Sequence, residues 1–207
     1  LHQESAYQKP DDLADENKWE DVIAHELFHH WFGDLVTAES WSNLTVNESF
    51  ADYSEYLWNE YKYGKDEADY KRIKSIRNSK ADPKNFAKDL VRFNYNDRED
   101  MFDGVSYNKG GAILHMLRTY LGDEAFFAAL TDYLKTNEYG TGEAHQLRLS
   151  FEKVSGKDLN WFFNQWYFGS GYPKLEVKSS YDAMKKQVTV SIAQTQDQKF
   201  EFPLVID

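Results

Sequence analysis

The chain has 207 residues, enough for one good core or for a domain and part of another, and is 41% hydrophobic, 29% charged and 16% aromatic, which excludes wholesale disorder. A net charge of −11 opposes binding to nucleic acid or to an anionic membrane surface. No apolar run approaches the roughly 18 residues of a membrane span, and with no cysteine there is neither a disulfide framework nor a thiolate metal site. The lack of cysteine is compatible with an exported or periplasmic protein but fixes no compartment. The sequence opens on Leu1 with no initiating methionine and no signal-like segment, so a piece of a longer protein is expected.

Residues 1–18 are polar, and Pro10-Asp11-Asp12 reads as a loop. Trp19, Val22, Ile23, Leu27 and Trp31 recur at three- and four-residue steps and predict a helix over 19–32. Val22, Ile23, Leu27 and Phe28 are expected to supply its core contacts, and Gly33 its stop. A second helix is predicted over 45–63, with Val46, Phe50, Tyr53, Leu57 and Tyr61 on one side, and a more charged third over 66–78. Residues 79–106 are rich in Asn, Asp and Lys and read as a long irregular stretch of the kind that often carries function. Helices follow at about 108–121, 123–136, 143–153 and 158–168.

Gly169-Ser-Gly-Tyr-Pro173 ends that pattern. Beyond it Leu175/Val177, Val188/Val190/Ile192 and Phe200/Phe202/Leu204/Ile206 alternate as strands do. Three strands reaching Asp207 predict the start of a β domain, or an edge packed on the helices.

The chemistry concentrates in VIAHELFHHWFGDLV, residues 22–36. His25-Glu26-Leu27-Phe28-His29 is an H-E-x-x-H pattern. Positions four apart on a helix lie about 40° from each other, so the two imidazoles project side by side, where one zinc ion can be shared. Glu26 stands beside them, directed at a metal-bound water. The bland alternative is two histidines and a glutamate on a solvated face, since so short a pattern also arises by chance. A catalytic site needs a third ligand, and Glu48 lies 19 positions after His29 at the start of the next predicted helix. A turn through Gly33 and an antiparallel return would bring it back. Asp52 and Glu55 share its face. Either could accept the outer N–H of a zinc-bound histidine, or be surface charge.

The span from His25 to Ala51, HELFHHWFGDLVTAESWSNLTVNESFA, resembles the zinc signature of the aminopeptidase N-like family of gluzincin metallopeptidases, which also includes leukotriene hydrolase-type enzymes. That signature reads H-E-x-x-H, eighteen residues, then Glu, with W-F-G-[ND]-L-V-T and N-E-G-F-A around it. Ser49 replaces the family's usual Gly, and Ser40 and Thr45 stand where tryptophans are common. These departures touch packing and the substrate cleft. VSYNKGGAILHML resembles the family's Tyr-x-Lys-Gly segment and maps its tyrosine to Tyr107, one of 14 tyrosines and otherwise readable as a core aromatic capping a helix. WFFNQWYFGSGYPKLEV looks like the family's exit into a small β domain.

The resemblance implies a mainly α fold. Residues 1–172 would form the helical part of a thermolysin-like catalytic domain, truncated at its N-terminus, and residues 173–207 an incomplete start of a β-sandwich-like domain. It also implies one zinc ion on His25, His29 and Glu48, Glu26 as general base, Tyr107 stabilising the tetrahedral intermediate, and peptide substrates cut at the first peptide bond. The family's amine-binding Gly-x-Met-Glu-Asn segment usually precedes the first zinc histidine by just over twenty residues, and Leu1–Ser5 does not match it. The remaining domains of a full-length protein are the implied partners, and activity of this piece alone is left open. Two other readings stay open: an endopeptidase or other hydrolase of the same fold, and a non-catalytic scaffold, which would have no need of Glu26. His30 lies about 100° round the helix from His29 and is expected not to be a ligand. His115 and His145 read as packing or surface residues, and His2 is unassigned.

Overall fold

A computed structural model describes residues 4–15, 17–80 and 83–204. Where a loop was expected, Pro10 at the first helical position and Asp11 and Asp12 in the first turn start a short helix, α1 (Pro10–Asp15). Helix α2 (Glu20–Phe28) follows, then a turn, strand β1 (Val36–Ala38) and the long α3 (Thr45–Tyr63). Gly64 ends α3 at φ 93°, a conformation that a side chain would strain. α4 (Lys65–Lys80) leads into the expected irregular stretch, relieved by single 3₁₀ turns at Pro83–Phe86 and Arg98–Met101.

A wide π turn, Val105–Lys109, then runs directly into α5 (Gly110–Leu121). α6 (Asp123–Asn137), strand β2 (Gly140–Gly142), α7 (Ala144–Ser155) and α8 (Asn160–Trp166) complete the helical part. The chain is thus mainly α, as the periodicity predicted. Among the described residues no helix is long and apolar enough to cross a membrane.

β1 and β2 pair in parallel, Val36 opposite Gly140 and Ala38 opposite Gly142, tying the turn after α2 to the connection before α7. β3 (Leu175–Asp182) and β4 (Gln187–Gln194) form an antiparallel hairpin with Leu175 opposite Gln194. The third predicted strand does not form over the described residues 199–204, and Ile206 lies outside them. Side chains have taken the bonds a ladder would use. Gln165 on α8 donates to the Glu201 carbonyl at 2.6 Å and accepts from its N–H at 2.8 Å, the Phe200 N–H goes to Gln194 Oε1 at 2.8 Å, and Pro203 has no N–H to give. Phe200 is buried against Trp166, ring centroids 5.1 Å apart.

The core lies among α3, α5, α6, α7 and α8. Leu114, Leu117, Phe126, Tyr133, Phe151, Phe162 and Phe163 are fully buried there, and Phe32 stacks on Phe50 at 4.1 Å. Helix α2 departs from the expectation. Its buried residues are Glu20 and His25, whereas Val22, Ile23 and Leu27 face outward, Leu27 with 53% of its surface exposed. Of the expected core contacts only Phe28 packs against the core. The physical reason is α3, which presents Glu48, Glu55, Trp58, Asn59 and Lys62 to α2 and so draws its polar side inward. The outward stripe and α3 together line a groove of about 450 Å³ that includes Ile23, Leu27, Trp31, Leu57 and Trp58.

Candidate metal centre

Helices α2 and α3 run antiparallel, and a ladder of polar pairs fixes their alignment. Glu20, at the start of α2, accepts hydrogen bonds from Trp58, from Lys62 at 2.7 Å and from Tyr63 at 2.8 Å, all late in α3. One residue on, Asn59 donates to Asp21 at 2.7 Å. Burial would raise the Glu20 carboxyl, but Lys62, Tyr63 and Trp58 hold it below the usual range, so it stays charged. Beyond α2 the chain reverses through Gly33, where a Cβ would come within 2.8 Å of the His29 carbonyl that accepts from Asp34 N–H at 2.8 Å.

This alignment brings His25, His29 and Glu48 together. Glu48 Oε2 stands 3.4 Å from His25 Nε2 and 3.4 Å from His29 Nε2, and one candidate ligand atom from each residue lies within 4.8 Å of the others. Each imidazole is held from behind. His25 Nδ1 meets Glu55 Oε1 at 3.0 Å, and His29 Nδ1 donates to the Phe32 carbonyl at 3.0 Å. A carbonyl can only accept, so His29 carries a proton on Nδ1 and turns its Nε2 towards Glu48.

Glu48 Oε2 is buried without a hydrogen-bond partner, a costly state for a carboxylate oxygen. Two ligands at about 2.0–2.1 Å from a tetrahedral ion are themselves roughly 3.3–3.4 Å apart. The orphaned oxygen and its 3.4 Å spacing from each of the two inward nitrogens fit zinc.

The electrostatics agree. Burial disfavours a charged His25, yet Glu48 and Glu55 outweigh it and push its pKa up to about 10. Burial also opposes His29 protonation, and Glu48 with the Phe32 carbonyl reverses that too. For Glu48, burial raises the pKa, but the two imidazoles bring it down to about 2. A site this negative retains protons when nothing else is there, and the same field attracts a divalent cation.

Tyr107 stacks over His25, with ring centroids 5.8 Å apart and planes 15° from parallel. Burial, the charge of Glu48 with its hydrogen bond, and the charge of Glu26 push the phenol well above its ordinary value, so it remains a donor at any physiological pH. Half-buried Glu26 follows His25 on α2 and lies close enough for its charge to act on Tyr107.

The structure divides the two outer carboxylates anticipated on α3. Glu55 meets the outer nitrogen of His25, whereas Asp52 does not. Its Oδ1 accepts from Asn108 at 3.4 Å, and burial together with Glu55 pushes it up to about 7. The outer nitrogen of His29 is held by the Phe32 carbonyl instead of a carboxylate, and a backbone group has no signature in sequence. His30 stands outside the cluster, 3.5 Å from exposed Asp34. His115 meets Tyr53 OH at 3.2 Å, burial lowering it to about 4, and His145 stacks on Phe168 at 4.7 Å. His2 lies outside the described residues.

Sequence reasoning passed over two residues that hold the Tyr107 turn. Lys109 is buried and donates to the Lys88 carbonyl at 2.9 Å and the Gly169 carbonyl at 3.4 Å. Its place in Tyr-x-Lys-Gly was the available signal. Ser49, noted as a departure, donates to the Ser106 carbonyl at 2.6 Å.

Comparison with known proteins gives a consistent result. The sequence profile of the Peptidase family M1 domain matches residues 6–166. Aminopeptidase M1-C of Oryza sativa subsp. japonica is 33% identical over 165 residues, 76% of this chain and 18% of that protein. Among solved structures, Legionella pneumophila aminopeptidase A in complex with aspartic acid superposes with a TM-score of 0.70 at 27% identity, covering 83% of this chain and 19% of that one. An M1 zinc metallopeptidase from Deinococcus radiodurans does so at 0.65 and 28%, covering 75% and 34%. The chain spans about a fifth of the length of the curated relatives it matches.

Proposed function

The chain belongs to peptidase family M1, and from that premise we propose that it carries the metal centre and general base of a zinc-dependent aminopeptidase. His25, His29 and Glu48 would hold one zinc ion. When bound, the ion would polarise the substrate carbonyl and make a water acidic near neutral pH. The observation that carries this reading is the buried Glu48 Oε2, without a hydrogen-bond partner and 3.4 Å from two imidazole nitrogens whose rings are fastened from behind. The relatives named for aminopeptidase activity and the M1 zinc metallopeptidase neighbour support it.

The chain's own residues then take distinct roles. Glu26 accepts the proton of the attacking water and passes it to the leaving amine. Tyr107, kept protonated, donates a hydrogen bond to the carbonyl oxygen as it gains charge. Glu55 and the Phe32 carbonyl hold the two imidazoles in orientation. The bond cut is the first peptide bond of a peptide. We read residues 1–172 as the helical part of the catalytic domain and 173–207 as the start of a β-sandwich-like domain, in keeping with a β3–β4 hairpin exposed along nearly its whole length.

Elemental analysis of the purified chain supplied with zinc tests the site. Near one zinc per chain is expected, and Glu48→Ala should lose most of it. A well-folded wild type without zinc would sink the assignment. At native length, Glu26→Gln should keep its zinc and hydrolyse an aminoacyl-anilide about 10²–10⁴-fold more slowly. Equal cleavage of an N-acetylated peptide would move the reading to an endopeptidase.

A further inference from the structure

Ser49 lies directly after Glu48 on α3 and is fully buried. Its hydroxyl donates to the Ser106 carbonyl at 2.6 Å, joining residues 57 apart in the chain. A hydroxyl has one proton, and Ser49 commits it to a carbonyl, so Thr45 Oγ1, 2.6 Å away, is the donor in the second contact. Thr45 thereby orients Ser49, and Ser49 grips the residue immediately before Tyr107.

The gripped segment is the wide turn Val105–Lys109, in which the Gly110 N–H reaches back to the Val105 carbonyl. Such turns carry one residue more than an α-helix holds, and their peptide groups depend on partners outside the ladder. Gly110 leaves the room that Ser49 fills, since a Cβ there would stand 1.9 Å from Ser49 Oγ. The serine and the glycine are therefore complementary, one supplying a hydroxyl and the other the space for it.

The geometry points to Ser49 as a positioning residue, whose hydroxyl fastens the Tyr107 turn to the helix carrying Glu48 and so sets where the phenol meets the substrate carbonyl. This rests on the role given to Tyr107 above. It goes beyond that role by naming what aims the phenol, at a position where the resembling family usually has glycine.

The test is a double-mutant cycle at native length, with kcat and KM measured on an aminoacyl-anilide and the thermal midpoint recorded for each variant. Ser49→Ala is expected to lower kcat about tenfold with KM within about twofold. In a Tyr107→Phe background the same change should move kcat by less than about twofold, because the group it aims is gone. Ser49→Gly, which removes the hydroxyl without crowding Gly110, is run beside it in case the alanine variant misfolds. An equal loss in both backgrounds, or no loss in the parent, overturns the link while leaving a slow Tyr107→Phe to uphold the role of the phenol. An unaltered kcat in Tyr107→Phe overturns both.

Discussion

Two regions of this molecule bury different kinds of residue. Among α5, α6, α7 and α8 the fully buried side chains include Leu114, Leu117, Phe126, Tyr133, Phe151, Phe162 and Phe163. Between α2 and α3 the buried side chains include Glu20, His25, Glu48 and Asn59, aligned by polar pairs. The first region gains stability from apolar area, which is strong but tolerant of small shifts. The second gains little net stability from its charges, because desolvation offsets most of their attraction. What it gains is alignment, since a carboxylate must meet a particular nitrogen. The scaffold and the site are therefore separable, and each of the following experiments presses on that separation.

The largest expected effect is on the apolar side. Phe126 is fully buried and meets Tyr53, Phe127 and Phe151 edge-on or tilted, so Phe126→Ala should cost about 3–5 kcal/mol in denaturant unfolding. The folded fraction should still bind zinc stoichiometrically. Loss of zinc in proportion to stability would show the two regions to be one.

Next comes the polar side. Glu55→Ala removes the acceptor behind His25 and should weaken zinc binding about 10–100-fold in a chelator competition. The thermal midpoint of the metal-free chain should hardly move. A midpoint drop as large as that of Phe126→Ala would contradict the separation.

Lys109, which ties the irregular stretch to the segment after α8, gives a pH signature. Burial pushes its amine down from 10.5 to about 8. Between those values the unfolded chain binds the proton and the folded chain does not, so stability rises with pH across the window, and the penalty is fully present below it. Against Lys109→Met, the wild type should gain about 2 kcal/mol between roughly pH 7 and 9.5 in urea unfolding. A constant difference would place the amine in a more solvated setting.

The smallest effect belongs to Lys71, which is part-exposed and pairs with Asp21 at 3.2 Å. Lys71→Ala should cost less than about 1 kcal/mol and leave zinc content unchanged.

The sequence carried much of this picture and missed the rest for identifiable reasons. Helix α3 and the helices from α5 to α8 announced themselves because an apolar stripe at helical spacing survives wherever a core covers it. The same stripe on α2 misled, because period reveals that apolar residues share a side and not which side is covered. That His25, His29 and Glu48 come together was legible from spacing joined to a family resemblance. The acceptor behind His29 was not, being a backbone carbonyl. Strands β1 and β2 are three residues each and two of the six are the glycines Gly140 and Gly142, too short and too bare to show alternation. Pro203 and the two glutamines that occupy the backbone of residues 200–201 removed the last expected strand through contacts as distant as 36 residues.

The wide turn ahead of α5 makes chain length a variable in its own right. Deleting one residue within Val105–Lys109 would let the segment relax to ordinary helix and swing whatever precedes the deletion about 100° around the α5 axis. Tyr107 would leave the face of His25 while Leu114 and Leu117 kept their places in the core. Such a deletion would pass a screen for folded protein and fail one for turnover, so variant libraries across this segment need sorting by rate.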